Sequence, residues 1–262
     1  MPKKQKVLGE CRLCGVTAQL SESHIIPKFL YREAGLIGPK KKFELSCINV
    51  PERSLPNKQD GIKEHLFCHD CETKRLSPLE QYARQQFYGS ASPLKSVPAN
   101  IFIWSGLDYA QMKLFTVSIL WRMSLSTHDL YHKVSLGEKH ENRMRQMLMD
   151  KNPMEPWRYG CTITFLKYGD KPLGGVISQP QRHSVAEIRH LYRFMLAGFA
   201  WFYHVTSHRP LDYDQGYLRE SGVWPVLVEQ ALSIQFVKGE IQRFRKHHKA
   251  RPDAPPADND HK

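Results

Sequence analysis

Four cysteines stand in two Cys-x-x-Cys pairs, Cys11-Arg12-Leu13-Cys14 and Cys68-His69-Asp70-Cys71. A two-residue gap lets both sulfurs of a tight knuckle face one point, and two knuckles complete the closed tetrahedron that zinc prefers in structural sites. One pair alone reads equally as a redox dithiol or a coincidence. Two pairs within a 61-residue span point to one structural zinc on Cys11, Cys14, Cys68 and Cys71. Cys47 and Cys161 have no partner at metal spacing and read as small core or half-buried residues. Ten residues after the first pair, the stretch SESHIIPKFLYR (21 to 32) sets a lone His24 ahead of an apolar run. His24 has two readings. It is a satisfied core histidine, or it is a base of near-neutral pKa suited to activating water against a phosphodiester, chemistry that also needs a cation on the reacting oxygens.

These residues need elements to position them. The insert of 53 residues between the knuckles is longer than a simple zinc ribbon requires. Its middle, roughly 33 to 62, is rich in Gly, Pro, Lys and Asn and reads as loop, with one short strand at KFELSCINV. SPLE (77 to 80) has the pattern of a helix start, with Pro78 in the first turn and Glu80 closing a capping box on Ser77. GSASPLKSVPAN (89 to 100) reads as a join between two units. Beyond it, DYAQMKLFTVSILWRMSL (108 to 125) predicts a helix apolar nearly all round, and LGEKHENRMRQMLMD (136 to 150) a polar-faced helix beside it. CTITFLKY (161 to 168) alternates like a strand, with GGVIS (174 to 178) as a candidate partner. YRFMLAGFAWFYHV (192 to 205) is strand-like in composition, with a buried helix as the alternative. VKGEIQRFRKHHKARP predicts a basic helical end before a Pro- and Asp-rich, disordered tail.

A Cys pair, then an apolar strand ending in His-Ile-Ile-Pro, then a second Cys pair opening a helix, resembles the HNH endonuclease family over about residues 8 to 88. PNKQDGIKEHLFCHDCE is similar to the second half of that module in bacterial HNH-type proteins. The resemblance implies a zinc-stabilised ββα-metal finger in which His24 is the general base and a divalent Mg²⁺ or Mn²⁺ stabilises the leaving oxygen. The chain departs from the family at two positions. The residue before the base is usually an acid or histidine that ligates the ion, and here it is Ser23, a poor ligand. The residue after the second knuckle is usually Asn, and here it is Glu72, whose carboxylate is an oxygen donor suited to either ion. Glu22 is a substitute for Ser23, and Asp60 and Asn57 are lesser candidates. His69, inside the knuckle, is left out of the zinc shell because four cysteines fill it.

The bulk properties bear on partners. The 262 residues carry 38 Lys and Arg against 26 Asp and Glu, a formal net charge of +12 that favours a polyanionic partner, nucleic acid first. Lys40, Lys41 and Lys42 in the insert, and Arg243, Arg245, Lys246 and Lys249 near the end, are candidate phosphate contacts. The basic start is followed by no apolar stretch, and the greasiest run, FMLAGFAWFYHV, is too short for a membrane span, so a cytoplasmic, reducing location without membrane association is expected. The architecture predicted is α+β: an HNH-like zinc module over 1–92, a mixed, largely helical unit over 93–251, and a disordered tail over 252–262. The function predicted is metal-dependent endonucleolytic cleavage of double-stranded DNA, in a setting such as restriction, mobile elements or phage defence. The alternative is a catalytically decayed zinc module that binds nucleic acid, or a protein partner, without cleaving.

Overall fold

The structure is a computed structural model, and it describes residues 7–33, 61–90, 92–96, 100–173, 176–184, 190–206, 209 and 216–249. Strands β1 (Val7–Glu10), β2 (Thr17–His24) and β3 (Lys63–Cys68) form an antiparallel sheet in that order. The β1–β2 turn is the first cysteine knuckle. β2 carries a bulge between Ser21 and Glu22. An unbroken strand faces every second residue inward; the bulge lets Leu20 and Ser23, three apart, both face the core. The apolar run after His24 turns into the short α1 (Lys28–Glu33) and buries Ile25, Ile26, Phe29, Leu30 and Tyr31. The Tyr31 ring lies against Gly61, where a Cβ would come within 2.7 Å of it and where φ is +82°. Glycine is required there on both counts.

β3 feeds directly into a continuous helical rod. It begins as α2 (His69–Cys71), widens into a π turn over Glu72–Leu76, and continues as α3 (Ser77–Tyr88). The helix start expected at SPLE is therefore corrected: Ser77 has helical φ and ψ of −54° and −41°, and its N–H donates to Glu72 O, five residues back. Pro78 supplies no N–H and crowds the preceding turn, and the widened turn sits directly before it. Glu80 consequently caps nothing and is held by a side chain described below.

The two helices expected next are present as α4 (Tyr109–Leu125) and α5 (Glu138–Asp150). Asp108 caps α4 by accepting from the Gln111 N–H at 2.9 Å. Residues 112 to 123 of α4 are all buried, including Lys113 and Arg122. Lys113 Nζ donates to the carbonyls of Pro156 (2.9 Å) and Tyr159 (3.1 Å), and burial brings its pKa down to about 7. α5 is fastened to the first sheet and its helix by two arginines: Arg145 donates to Leu13 O in the first knuckle at 3.0 Å, and Arg75 donates to Met149 O at 2.6 Å.

The remaining strands build a second, seven-stranded sheet. These are β4 (Ile101–Trp104), β5 (Gly160–Tyr168), β6 (Lys171–Pro172), β7 (Gln181–His183), β8 (His190–Leu196), β9 (Phe199–Val205) and β10 (Trp224–Gln230). The order is β4-β10-β5-β9-β8-β7, with β6 beside β5 and only β10–β5 parallel. The strand reading of 192–205 holds, divided into a hairpin at Ala197 and Gly198, both with positive φ as a two-residue hairpin turn demands. The described residues of GGVIS, 176–178, do not pair with β5. β6 does so, while Ser178 N–H donates to Met195 O on β8. Among the described residues the C-terminal part is thus mixed, with three α-helices beside a seven-stranded sheet. The helix α6 (Gln235–Lys249) covers one face of the sheet with Phe236, Val237 and Ile241 on Leu166, Met195 and Ala200.

The other face packs on α3 and α4, and the buried cluster there runs without interruption from Cys11 to Val228. Phe87 of α3 sits at its centre, with ring centroids 4.9 Å from Trp104, 5.5 Å from Phe199 and 6.0 Å from Trp201. No helix among the described residues is long and apolar enough to cross a membrane. Because Phe87 joins the knuckle helix to the large sheet, Phe87→Ala should cost about 3–5 kcal/mol in urea unfolding, the range for truncating a fully buried phenylalanine. Phe87→Leu, which keeps most of the volume, should cost clearly less.

Candidate metal centre

The four knuckle cysteines converge although 54 residues separate Cys14 from Cys68. Their sulfurs all lie within 4.8 Å of one another, with Cys14 Sγ and Cys68 Sγ 3.9 Å apart. A tetrahedron with metal–sulfur bonds of ~2.3 Å has edges of ~3.8 Å, so the spacing fits a shared zinc-like ion and is far too long for a disulfide. Cys11 and Cys71 are buried, and Cys14 and Cys68 half-buried. The folding reason is local. The β1–β2 turn places the first pair, and Gly15 closes it at φ +79° with its N–H donating to Cys11 O. The second pair straddles the end of β3 and the first turn of α2.

The charge balance also points to a cation. Burial works against a Cys11 thiolate, but backbone hydrogen bonds from Cys14, Cys68 and Leu13 outweigh it and bring the thiol down to about 7. Burial, then the neighbouring cysteines, push Cys71 far up. One thiolate forms readily at Cys11, and its charge opposes ionisation of Cys14 and Cys71. A divalent ion removes that opposition. The donor set therefore fits a structural metal ion of the zinc type.

Beside this centre lie the residues that the sequence singled out for chemistry. Ser23 and Glu72, the two departures from the HNH pattern, meet each other: Ser23 Oγ donates to Glu72 Oε2 at 2.7 Å across 49 residues of sequence. Ser23 is fully buried on the inner face of β2. Strand alternation sends Glu22 and His24 to the opposite face, where Glu22 is exposed and His24 half-buried. Glu72 thus lies on the Ser23 side, and Glu22 shares a face with His24 instead. Asp60, Asn57, Cys47 and Lys40, Lys41 and Lys42 lie outside the described residues. Arg243 is spent on Glu240, which Gln181 also meets, and Arg245, Lys246 and Lys249 lie further along α6, where the described side chains end. Cys161 is buried at the start of β5, as expected of a core thiol.

The sequence reading missed the group that organises this region. Arg122 of α4 is wholly buried, and its guanidinium donates to Glu80 Oε1 (2.7 Å), His24 O (3.1 Å), Ser118 O (3.2 Å) and Ser118 Oγ (3.3 Å). It is close enough to Glu72 to pull on its proton. Burial is the largest influence on the Glu72 carboxyl and raises its pKa; Arg122 and the Ser23 hydroxyl oppose this, and Glu80 adds to it. A second missed residue, Glu64 of β3, accepts from Ser126 Oγ and from the Thr127 N–H (3.1 Å), clasping the end of α4 to the small sheet. The available signal was the position of Arg122 in a helix apolar on every side, because a charge there must find partners inside the fold.

No family model, curated protein or solved structure matches the chain.

Two outcomes are expected from this geometry. Elemental analysis of the purified protein should find one zinc per chain, and Cys71→Ser or a strong chelator should unfold the first sheet, since thiolate–metal binding is coupled to folding. A zinc-free chain with intact near-ultraviolet dichroism would refute this. The second concerns Glu72. A carboxyl with a raised folded pKa gives its full stability below the ordinary value of 4.5 and loses it as pH rises through the folded value. In urea titrations Glu72→Gln should therefore gain stability relative to wild type as pH is raised from about 4.5 towards neutrality.

Proposed function

We propose that the protein is a zinc-held module that binds nucleic acid without cleaving it, the HNH-type hydrolytic centre having been replaced by a hydrogen-bonded lock. The observation that carries this reading is the 2.7 Å bond from Ser23 to Glu72. The two positions at which the family resemblance implies ion ligands are here bonded to each other. Burial works against a charged Glu72 carboxylate, and its Oε2 is already taken by the Ser23 hydroxyl. A buried guanidinium beside it supplies the positive charge that an ion would otherwise bring. The net charge of +12 supports a polyanionic partner, and among the described residues Arg32, Lys74, Arg84, Lys139, Lys151 and Arg182 are exposed. The reading places the protein in a reducing cytoplasmic compartment, where the cysteines stay available to the metal.

A second reading is metal-dependent cleavage of double-stranded DNA, with His24 as base and Glu22, Glu72 or Asp60 about a Mg²⁺ or Mn²⁺ ion, in a restriction, mobile-element or phage-defence role. One observation favours it. The His24 backbone is anchored by Arg122, which leaves a half-buried imidazole on the same strand face as the exposed Glu22.

One pair of assays separates these readings. Fluorescence anisotropy with a labelled duplex should show binding at ~50 mM salt that weakens steeply, by orders of magnitude, by ~200 mM, as counterion release requires. Plasmid incubated with the protein and Mg²⁺ or Mn²⁺ should remain supercoiled. Nicking that EDTA abolishes and that His24→Ala reduces by at least ~100-fold would establish the second reading instead. No affinity for DNA or RNA at low salt would remove nucleic acid from both readings and leave a protein partner.

A further inference from the structure

We propose that the β4 edge of the large sheet is a self-association surface, and that its partner is the β4 strand of a second copy of this chain. Among the described residues β4 has β10 as its one strand neighbour, so the far side of its backbone is an unused ladder edge. Its side chains divide cleanly. Phe102 and Trp104 are buried in the core, whereas Ile101 and Ile103 are 49% and 56% exposed. Leu227, 51% exposed, stands directly opposite Ile101 on β10. Three of the large exposed aliphatic side chains thus form one patch along one edge.

Exposed edges are normally blunted by charge, proline or a covering segment. The opposite edge of the same sheet follows that rule, because β7 (Gln181–His183) presents Arg182 and His183 to solvent. β4 does not. The chain carries no charged residue between Lys95 and Asp108. Two molecules that each carry +12 repel one another over most of their surface, and the uncharged edge is where that repulsion is least.

The strand also matches itself in register. In an antiparallel ladder directly opposed residues share a face, so a register with Phe102 opposite Phe102 of the copy keeps both cores covered. That register sets each Ile101 against the other copy's Ile103, with the two Leu227 side chains flanking. A two-fold dimer with one continuous sheet results. A four-residue strand and three half-exposed side chains per copy bury on the order of 600–1,000 Å² in total, which is below the standard interface size and implies a reversible, concentration-dependent dimer.

Sedimentation velocity on zinc-loaded, reduced full-length protein between ~5 and ~200 μM tests this. Wild type should shift from monomer to dimer across that range, and more completely at high salt, since screening weakens the repulsion. This trend is opposite to that expected for nucleic-acid binding, so the two readings fail independently. Ile103→Lys, at an exposed position, should weaken dimerisation by at least ~10-fold. Leu8→Lys, on the equally exposed β1 of the other sheet, should leave it unchanged. Hydrogen exchange of the wild type gives a mutation-free check, since amides of residues 100–105 should gain protection with concentration. A monomer at the highest concentration, a dimer indifferent to Ile103→Lys, or unchanged exchange in that segment would each overturn the proposal.

Discussion

Four sulfur atoms within 4.8 Å of one another are the constraint on which the first half of the chain depends. They close a loop of more than fifty residues and start the rod of α2 and α3 at a fixed point beside the small sheet. An unliganded set of thiols would not hold that position well. Burial, and then their mutual influence, drives Cys71 toward its neutral form, and neutral thiols attract one another weakly. A divalent ion reverses the sign of the interaction, turning the most crowded point of the fold into its firmest. The two arginine bonds that fasten α5, from Arg145 to the first knuckle and from Arg75 to the carbonyl of Met149, then depend on that point being rigid.

A second fixed point lies further along the rod at Glu80, where a guanidinium takes the place of a metal. Arg122 spends four donor contacts on a carboxylate, a hydroxyl and two carbonyls, and one of those carbonyls belongs to His24. Removing one partner of such a buried group leaves the other uncompensated, which typically costs about 3–5 kcal/mol. Arg122 is wholly buried, so its charge faces the interior of the fold. What the region gains is a fixed His24 backbone and a Glu72 carboxyl held by the Ser23 hydroxyl.

Much of this was legible in the sequence where the signal was local. The Cys-x-x-Cys spacing placed the metal ligands, uninterrupted apolar character placed α4, and alternation placed β5. The long-range features were not legible. Glu80 fits a capping box on paper, and only the packing of α3 against α4 reveals that Arg122 takes its carboxylate and that Pro78 lies inside a helix already under way. β4 and β10 were overlooked because four residues of Ile-Phe-Ile-Trp and a proline-bearing WPVLVEQ carry too short a period to stand out, and a partner more than a hundred residues away decides their state. The Ser21–Glu22 bulge is of the same kind. One extra residue reassigns Ser23 to the core, and strand periodicity alone cannot report it.

The net charge carries a related lesson about position. A formal +12 suggests a surface crowded with phosphate contacts, yet several of the cations that produce it are committed inside the fold. Lys113 and Arg122 are buried, Arg75 and Arg145 are bound to carbonyls, and Arg158 pairs with Glu155 at 2.9 Å. Lys113 is also held near neutrality by burial, so it contributes less than a full charge at physiological pH. The field that a polyanion meets is accordingly weaker and more localised than the composition implies. It rests on exposed side chains such as Lys139 on α5, Lys151 at its end and Arg182 on β7. On the proposed reading, such a distribution would favour contacts along an extended polyanion over a single deep anion pocket.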